Sequence, residues 1–199
     1  MRPSHWILYA VCLPWDVLVA WPIVLLVRAL WGAELRWETP PPYSRAVGGG
    51  GGPVLTCRIK PGSWPVTPGR WPRGWYLRTN EKGKARPWGG TTLGHGIFYG
   101  PLVVRAADGW LRVQRHEHVH VEQFEVVMLG AFLVAIACFA TLLPLGHLVA
   151  ASVLGGSIWL TGYLVMGIAG WLTALARGEP AYWGSTHEES ARAQDEVEA

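Results

Sequence analysis

The sequence predicts an α+β membrane protein with about three transmembrane helices, a small β-rich domain outside the bilayer, and a long helix that carries an H-E-x-x-H motif into the second span. Three observations predict it. Apolar stretches long enough to cross a bilayer run from Trp6 to Trp31 and from Val126 to Ala176, the second divided near Pro144. Residues 54–113 hold short alternating segments broken by Gly- and Pro-rich turns. Between Leu111 and Leu143 there is no proline and a single glycine, Gly130, so the motif and the apolar run after it read as one helix.

Composition agrees. Of 199 residues 50% are hydrophobic and 16% charged, against about a quarter charged in soluble domains. The 13 tryptophans suit membrane interfaces and aromatic-lined sites. Cys12, Cys57 and Cys138 form no C-x-x-C pair, which argues against a thiolate zinc site or a disulfide framework.

Residues 1–33 read as the first transmembrane helix. Asp16 interrupts it. The favoured reading is a span that starts after Pro14 with Asp16 as its cap; the other is a polar contact inside the helix bundle. Residues 34–53 read as a linker, stiff at Pro40-Pro-Pro42 and flexible at Gly48 to Gly52. That glycine run lacks the Lys-Ser/Thr of a phosphate-binding loop.

Residues 54–113 read as the β-rich domain. Val54 to Ile59, Trp75 to Arg78 and Gly96 to Tyr99 alternate as strands, and Pro101 to Arg105 with Trp110 to Val113 suits a hairpin turning at Ala107 to Gly109. Gly96 to Tyr99 is a candidate edge strand for an extended peptide. Trp64, Trp71, Trp75 and Trp88 suit a core or an interface. His95, in Leu93-Gly-His-Gly96, is an imidazole able to approach a metal, although a lone histidine in a strand turn is more often structural.

Residues 114–125 form the motif helix. His116 and His120 stand one turn apart, about 40° around the axis, so both can reach one Zn²⁺. Glu117 lies roughly 100° from His116, placed to take a proton from a zinc-activated water rather than to bind the ion. Gln123, a further turn along the same face, can support a ligand or touch substrate. His118, Glu122 and Glu125 point elsewhere. Residues 126–176 form a transmembrane hairpin, Val126 to Leu143 and Val149 to Leu175, with Ala151/Gly155 and Ser152/Gly156 as small-residue pairs for close packing.

Residues 177–199 form the tail. Two spans separate Gln123 from Arg177, so the tail and the motif helix emerge on the same side of the membrane. Thirteen of the 17 Lys/Arg fall between Arg36 and Arg115, which puts that side in the cytoplasm. A tail carboxylate can therefore complete a two-histidine site, and Glu188 and Glu189 are the candidates.

The stretch Arg115-His-Glu-His-Val-His-Val-Glu-Gln-Phe-Glu125, with Gly184-Ser-Thr-His-Glu-Glu-Ser-Ala191 downstream and Thr91-Thr-Leu-Gly-His-Gly96 ahead, resembles a group of small bacterial multi-pass membrane proteins. In that group an HExxH helix runs into a membrane hairpin and a short Glu/Ala tail motif follows. The resemblance covers most of the chain from about residue 54. It implies that the glutamate three residues before an alanine, Glu188 here, is the third metal ligand. Ser185-Thr-His187 stands where Asn-Pro-aromatic is usual, so Glu189 remains the alternative. More distantly the motif is similar to gluzincin-type zinc metallopeptidases, which implies peptide-bond hydrolysis.

The functional expectation is a membrane-embedded zinc metallohydrolase of the inner membrane, a peptidase. One Zn²⁺ is held by His116, His120 and Glu188, with Glu117 as general base. His187 and Tyr182 are the candidates to steady the developing oxyanion. The expected partners are the lipid bilayer and a peptide or protein substrate. Nucleic acid is not expected, because the basic residues are scattered through turns. Two alternatives stand beside this: a structural zinc site closed by His95 or His187, and a membrane protein without metal.

Overall fold

A computed structural model describes residues 3–31, 33–38, 54–58, 77–79, 85–87, 90–99, 107–179, 188, 189, 191 and 193. The architecture is α+β: three long apolar helices and a small four-stranded sheet. Helical stretches Trp6–Leu30, Val113–Leu142 and Leu148–Ala176 are each long and apolar enough to cross a membrane.

The first stretch is two α-helices, α1 (Pro3–Trp15) and α2 (Trp21–Trp31), joined by a π-helical turn at Asp16–Ala20. Pro22 has no N–H to offer Leu18, and its ring would press on that carbonyl in a regular helix. The wider turn, in which the Trp21 N–H reaches Asp16 O, removes the clash. The helix therefore continues through Asp16, which caps nothing. Its side chain is fully buried, so the polar contact inside the bundle replaces the favoured cap reading.

Strands β1 (Glu34–Glu38), β2 (Val54–Arg58), β5 (Gly90–Leu93) and β6 (Gly96–Tyr99) form the sheet in the order β1-β2-β6-β5; β3 (Leu77–Thr79) and β4 (Ala85–Pro87) form a separate pair. β1 occupies the start of the expected linker. Its alternation turns Leu35 onto the core, and Glu38 is tied to Thr56 and Arg58 of β2. The rest of that linker, residues 39–53, lies outside the described residues, as do Trp64, Trp71, Trp75 and Trp88. Pairing is antiparallel for β1–β2 and β5–β6 and parallel for β2–β6. β6 therefore has a neighbour on each side and cannot be the edge strand expected for a peptide; among the described residues β5, paired with β6, ends the sheet.

The sheet, expected as part of a small β-rich domain over residues 54–113, packs against helices on both faces. Strand alternation sends Leu55, Cys57 and Phe98 to one face, where they pack with Val24 and Ala33 around α2. Val54, Ile97 and Tyr99 go to the other face and pack on Val121. Strands covered on both faces carry apolar residues at successive positions rather than in alternation: Ile97-Phe-Tyr99 does so, and Val54 to Cys57 does so but for Thr56, where alternation had been expected. The sheet is wedged between two apolar helices. The Cys57 thiol inside it is pushed up to about 11 by burial, which leaves it unreactive.

Helix α3 runs from Ala107 to Leu142, 36 residues and about 54 Å. It starts seven residues before the expected 114, so Trp110 to Val113 is helix rather than a hairpin strand. Ala107-Asp-Gly109 reads equally as a turn or as a first helical turn, and Asp108 suits a helix N-terminus. Val113 joins Val121 beneath the sheet, two turns apart on one helical face, and that packing selects helix. The partner segment, Pro101 to Arg105, lies outside the described residues. After a turn at Leu143 to His147, helix α4 (Leu148–Ala176) returns along α3.

Of the two small-residue pairs on α4, one faces α3. Ala151 and Gly155 are buried, whereas Ser152 is exposed. A Cβ on Gly155 would stand 2.8 Å from Phe139 Cε2, and one on Gly162 would stand 2.6 Å from Ala131 Cβ, while Gly156 and Gly167 have nothing within 4 Å. Gly155→Leu and Gly162→Leu are each expected to destabilise the protein by about 1–3 kcal/mol through overpacking. Gly156→Ala and Gly167→Ala should be neutral or gain up to about 1 kcal/mol of helix propensity. Thermal melts in detergent check both.

Candidate metal centre

α3 brings His116 and His120 together on one face, and the tail delivers Glu188 to the same place. The two Nε2 atoms stand 3.3 Å apart. Glu188 lies 3.4 Å from His116 Nε2 through Oε2 and 3.3 Å from His120 Nε2 through Oε1. The three residues form the one group among the described residues whose nitrogen, sulfur or carboxylate atoms converge as metal ligands do. Ligand atoms bonded at about 2.0–2.1 Å to a tetrahedral zinc stand about 3.3–3.4 Å from one another. The observed spacings match that edge length. They also set two imidazole nitrogens face to face, an arrangement that a shared cation relieves.

Gln123 takes the supporting place open to it in the sequence: its Oε1 lies 2.9 Å from His120 Nδ1. With the amide oxygen as acceptor, Nδ1–H is the donor and Nε2 is the nitrogen that faces the site. Glu189 is turned away, with its carboxylate 3.4 Å from Arg177. Between the two tail glutamates, Glu188 is the one on the histidines. His187 and Tyr182 lie outside the described residues.

Glu117 is buried, 3% exposed, and held from the sheet. Thr92 of β5 places its hydroxyl 2.8 Å from Glu117 Oε2 and 3.0 Å from Glu117 O, donating one proton between them. Gly90 lies against the other oxygen: a Cβ there would stand 2.6 Å from Oε1. Only glycine lets the strand approach so closely. Thr92 and Gly90 were missed as functional residues in the sequence, although Thr92 lies in the Thr91-to-Gly96 stretch that carries part of the resemblance.

His95, offered as a possible ligand, is placed not with His116, His120 and Glu188 but between Asp16 and Glu125. It sits in the two-residue turn between β5 and β6 and is fully buried. Its Nδ1 is 2.6 Å from Asp16 Oδ2 and its Nε2 is 3.1 Å from Glu125 Oε1. Its backbone N–H donates to Asp16 Oδ1 at 3.0 Å. The preceding Gly94 has φ +59, the left-handed conformation that a tight hairpin turn of this kind needs at its first position. Burial alone would lower the His95 pKa, but the hydrogen bonds to Asp16 and Glu125 raise it from 6.5 to about 9. A ring between two carboxylates donates from both nitrogens as the imidazolium. Glu125, like His118 and Glu122, is off the metal face but buried rather than solvated.

Because His95 titrates near 9 in the fold rather than 6.5, its stabilisation is complete below about 6.5 and is lost as pH rises through about 9. Melting temperature in detergent should fall across that window, and His95→Gln should flatten the fall. Asp16→Ala, which strips one carboxylate from a buried charge, should cost about 3–5 kcal/mol near neutral pH.

No protein-family model, curated protein or solved structure matches this chain, so the geometry of the site carries the functional reading.

Proposed function

We propose that the chain is a membrane-embedded zinc hydrolase acting on peptide bonds, with His116, His120 and Glu188 as zinc ligands and Glu117 as general base. The observation that carries the reading is the convergence of two imidazole nitrogens, 3.3 Å apart, with the two oxygens of the Glu188 carboxylate, each 3.3–3.4 Å from one of them, beside a buried glutamate from the same helical turn. Three protein ligands are the number a catalytic zinc site uses, and two histidines with a glutamate are one known set. Zinc there would supply a Lewis acid that acidifies water and polarises a carbonyl. Glu117 accepts the proton and passes it to the leaving amine, its carboxylate restrained by Thr92. The similarity of the motif to gluzincin-type peptidases supports a peptide substrate. So does the position of β5: among the described residues it ends the sheet, and it lies against Glu117, where an extended peptide can add as a strand. The three apolar helices support an inner-membrane location, and the Lys/Arg excess between Arg36 and Arg115 supports a cytoplasmic site.

Metal content tests the ligands. Elemental mass spectrometry on detergent-purified protein should find about one zinc per chain, lost in His116→Ala/His120→Ala and much reduced in Glu188→Gln, but kept in Glu189→Gln. Glu117→Gln should keep zinc and lose casein hydrolysis by about 10²-fold or more. Retained hydrolysis in Glu117→Gln, with destabilisation in His120→Ala, would mark a structural zinc instead. A folded wild type that takes up no zinc would sink the reading.

A further inference from the structure

A general base is useful only if its carboxylate is held still, and the helix backbone beneath Glu117 does not fix its side chain. Thr92 does, from a strand that belongs to a different part of the chain. Thr92 is paired with Ile97 of β6, and the closed end of that hairpin lies three residues on. There His95 is tied at every polar atom it owns. Its N–H and both ring nitrogens meet Asp16 and Glu125, and its carbonyl accepts from Leu55 N at 2.8 Å. Its ring packs edge-on against Tyr9 and Phe124, with centroids 4.9 and 5.5 Å away. Gly94 seals the same corner: a Cβ there would stand 2.4 Å from Asp16 Oδ1.

The two attachments are in register along α3. Thr92 meets the helix at Glu117 and His95 meets it at Glu125, eight residues later, which is about 12 Å of helix. The β5–β6 hairpin is thus attached to α3 at two points, Thr92 on the general base and the turn residue His95 on a buried ionic cluster that also holds the first apolar helix.

We propose that His95, clamped by Asp16 and Glu125, is a positioning residue that holds Glu117 in place through the β5–β6 hairpin and Thr92. The proposal rests on the metal-site reading above. A purely structural ion cluster would stabilise the fold and leave the environment of the metal unchanged; a positioning cluster alters that environment when it is loosened.

Cobalt-loaded full-length protein in detergent separates the two, because the visible spectrum of a cobalt site titrates with pH and senses the carboxylate beside it. Glu117→Gln sets the direction of the effect. Thr92→Val and His95→Asn are each expected to move the spectral midpoint the same way by about half a pH unit or more, with cobalt still bound. The double variant should move it no further than the larger single change, because both act through one contact. A His95→Asn protein that binds cobalt with the wild-type midpoint overturns the proposal, as do two shifts that simply add. If His95→Asn does not fold, Asp16→Asn, which keeps an oxygen for the His95 N–H, is read against the same outcomes. A wild type that binds no cobalt overturns the metal reading and this proposal with it; a wild type that binds and titrates beside a silent His95→Asn overturns this proposal alone.

Discussion

Charge buried among apolar helices governs this structure. An ion taken out of water costs several kcal/mol that must be recovered from partners placed within hydrogen-bond reach. Asp16 lies in the middle of the first apolar stretch and is fully buried. Its partner comes from a strand turn 79 residues later in the chain, and the third member, Glu125, comes from α3. Satisfying that one carboxylate therefore draws together the first helix, the sheet and α3. The π-helical turn belongs to the same solution: imposed by Pro22, it begins at Asp16 itself.

The second constraint is the unbroken length of α3. A helix without proline cannot bend sharply between its polar first half and its apolar second half. The depth of His116 and His120 is thereby fixed relative to the apolar segment that follows. The sheet then has no space of its own. It fits between α2 and α3 with apolar side chains on both faces, and β5 comes to lie where Glu117 needs a donor.

The elements that were legible in the sequence are those set by local pattern. The continuity of α3, the turn at Pro144 and the shared face of His116 and His120 follow from helical period and from where proline is absent. Counting spans could say only on which side the tail emerges; the preference for Glu188 over Glu189 came from the resemblance, through its place three residues before Ala191, and not from any local pattern. Three things were not legible. β1 was hidden because Glu34-Leu-Arg-Trp-Glu38 is charged and precedes a Pro/Gly run, yet pairing with β2 makes it a strand. The start of α3 was hidden because Ala-Asp-Gly reads as a turn until Val113 finds Val121. Asp16 was read as a cap because its partners, His95 and Glu125, are distant in sequence, and no local rule joins them.

The histidines then divide by what their second nitrogen meets. A metal ligand must be neutral, with a lone pair on the nitrogen that faces the ion. His120 gives its Nδ1 proton to the Gln123 amide, so Nε2 is left as an acceptor, 3.3 Å from its counterpart on His116 and from Glu188. His95 faces carboxylates at both nitrogens, is held as a cation, and has no lone pair to offer. One residue type thus stands in two settings within one small core: His120 between an amide and a cluster able to hold a metal, and His95 between two carboxylates. An H-E-x-x-H pattern shows which imidazoles share a face, but the group on the far nitrogen decides which of them can hold a metal.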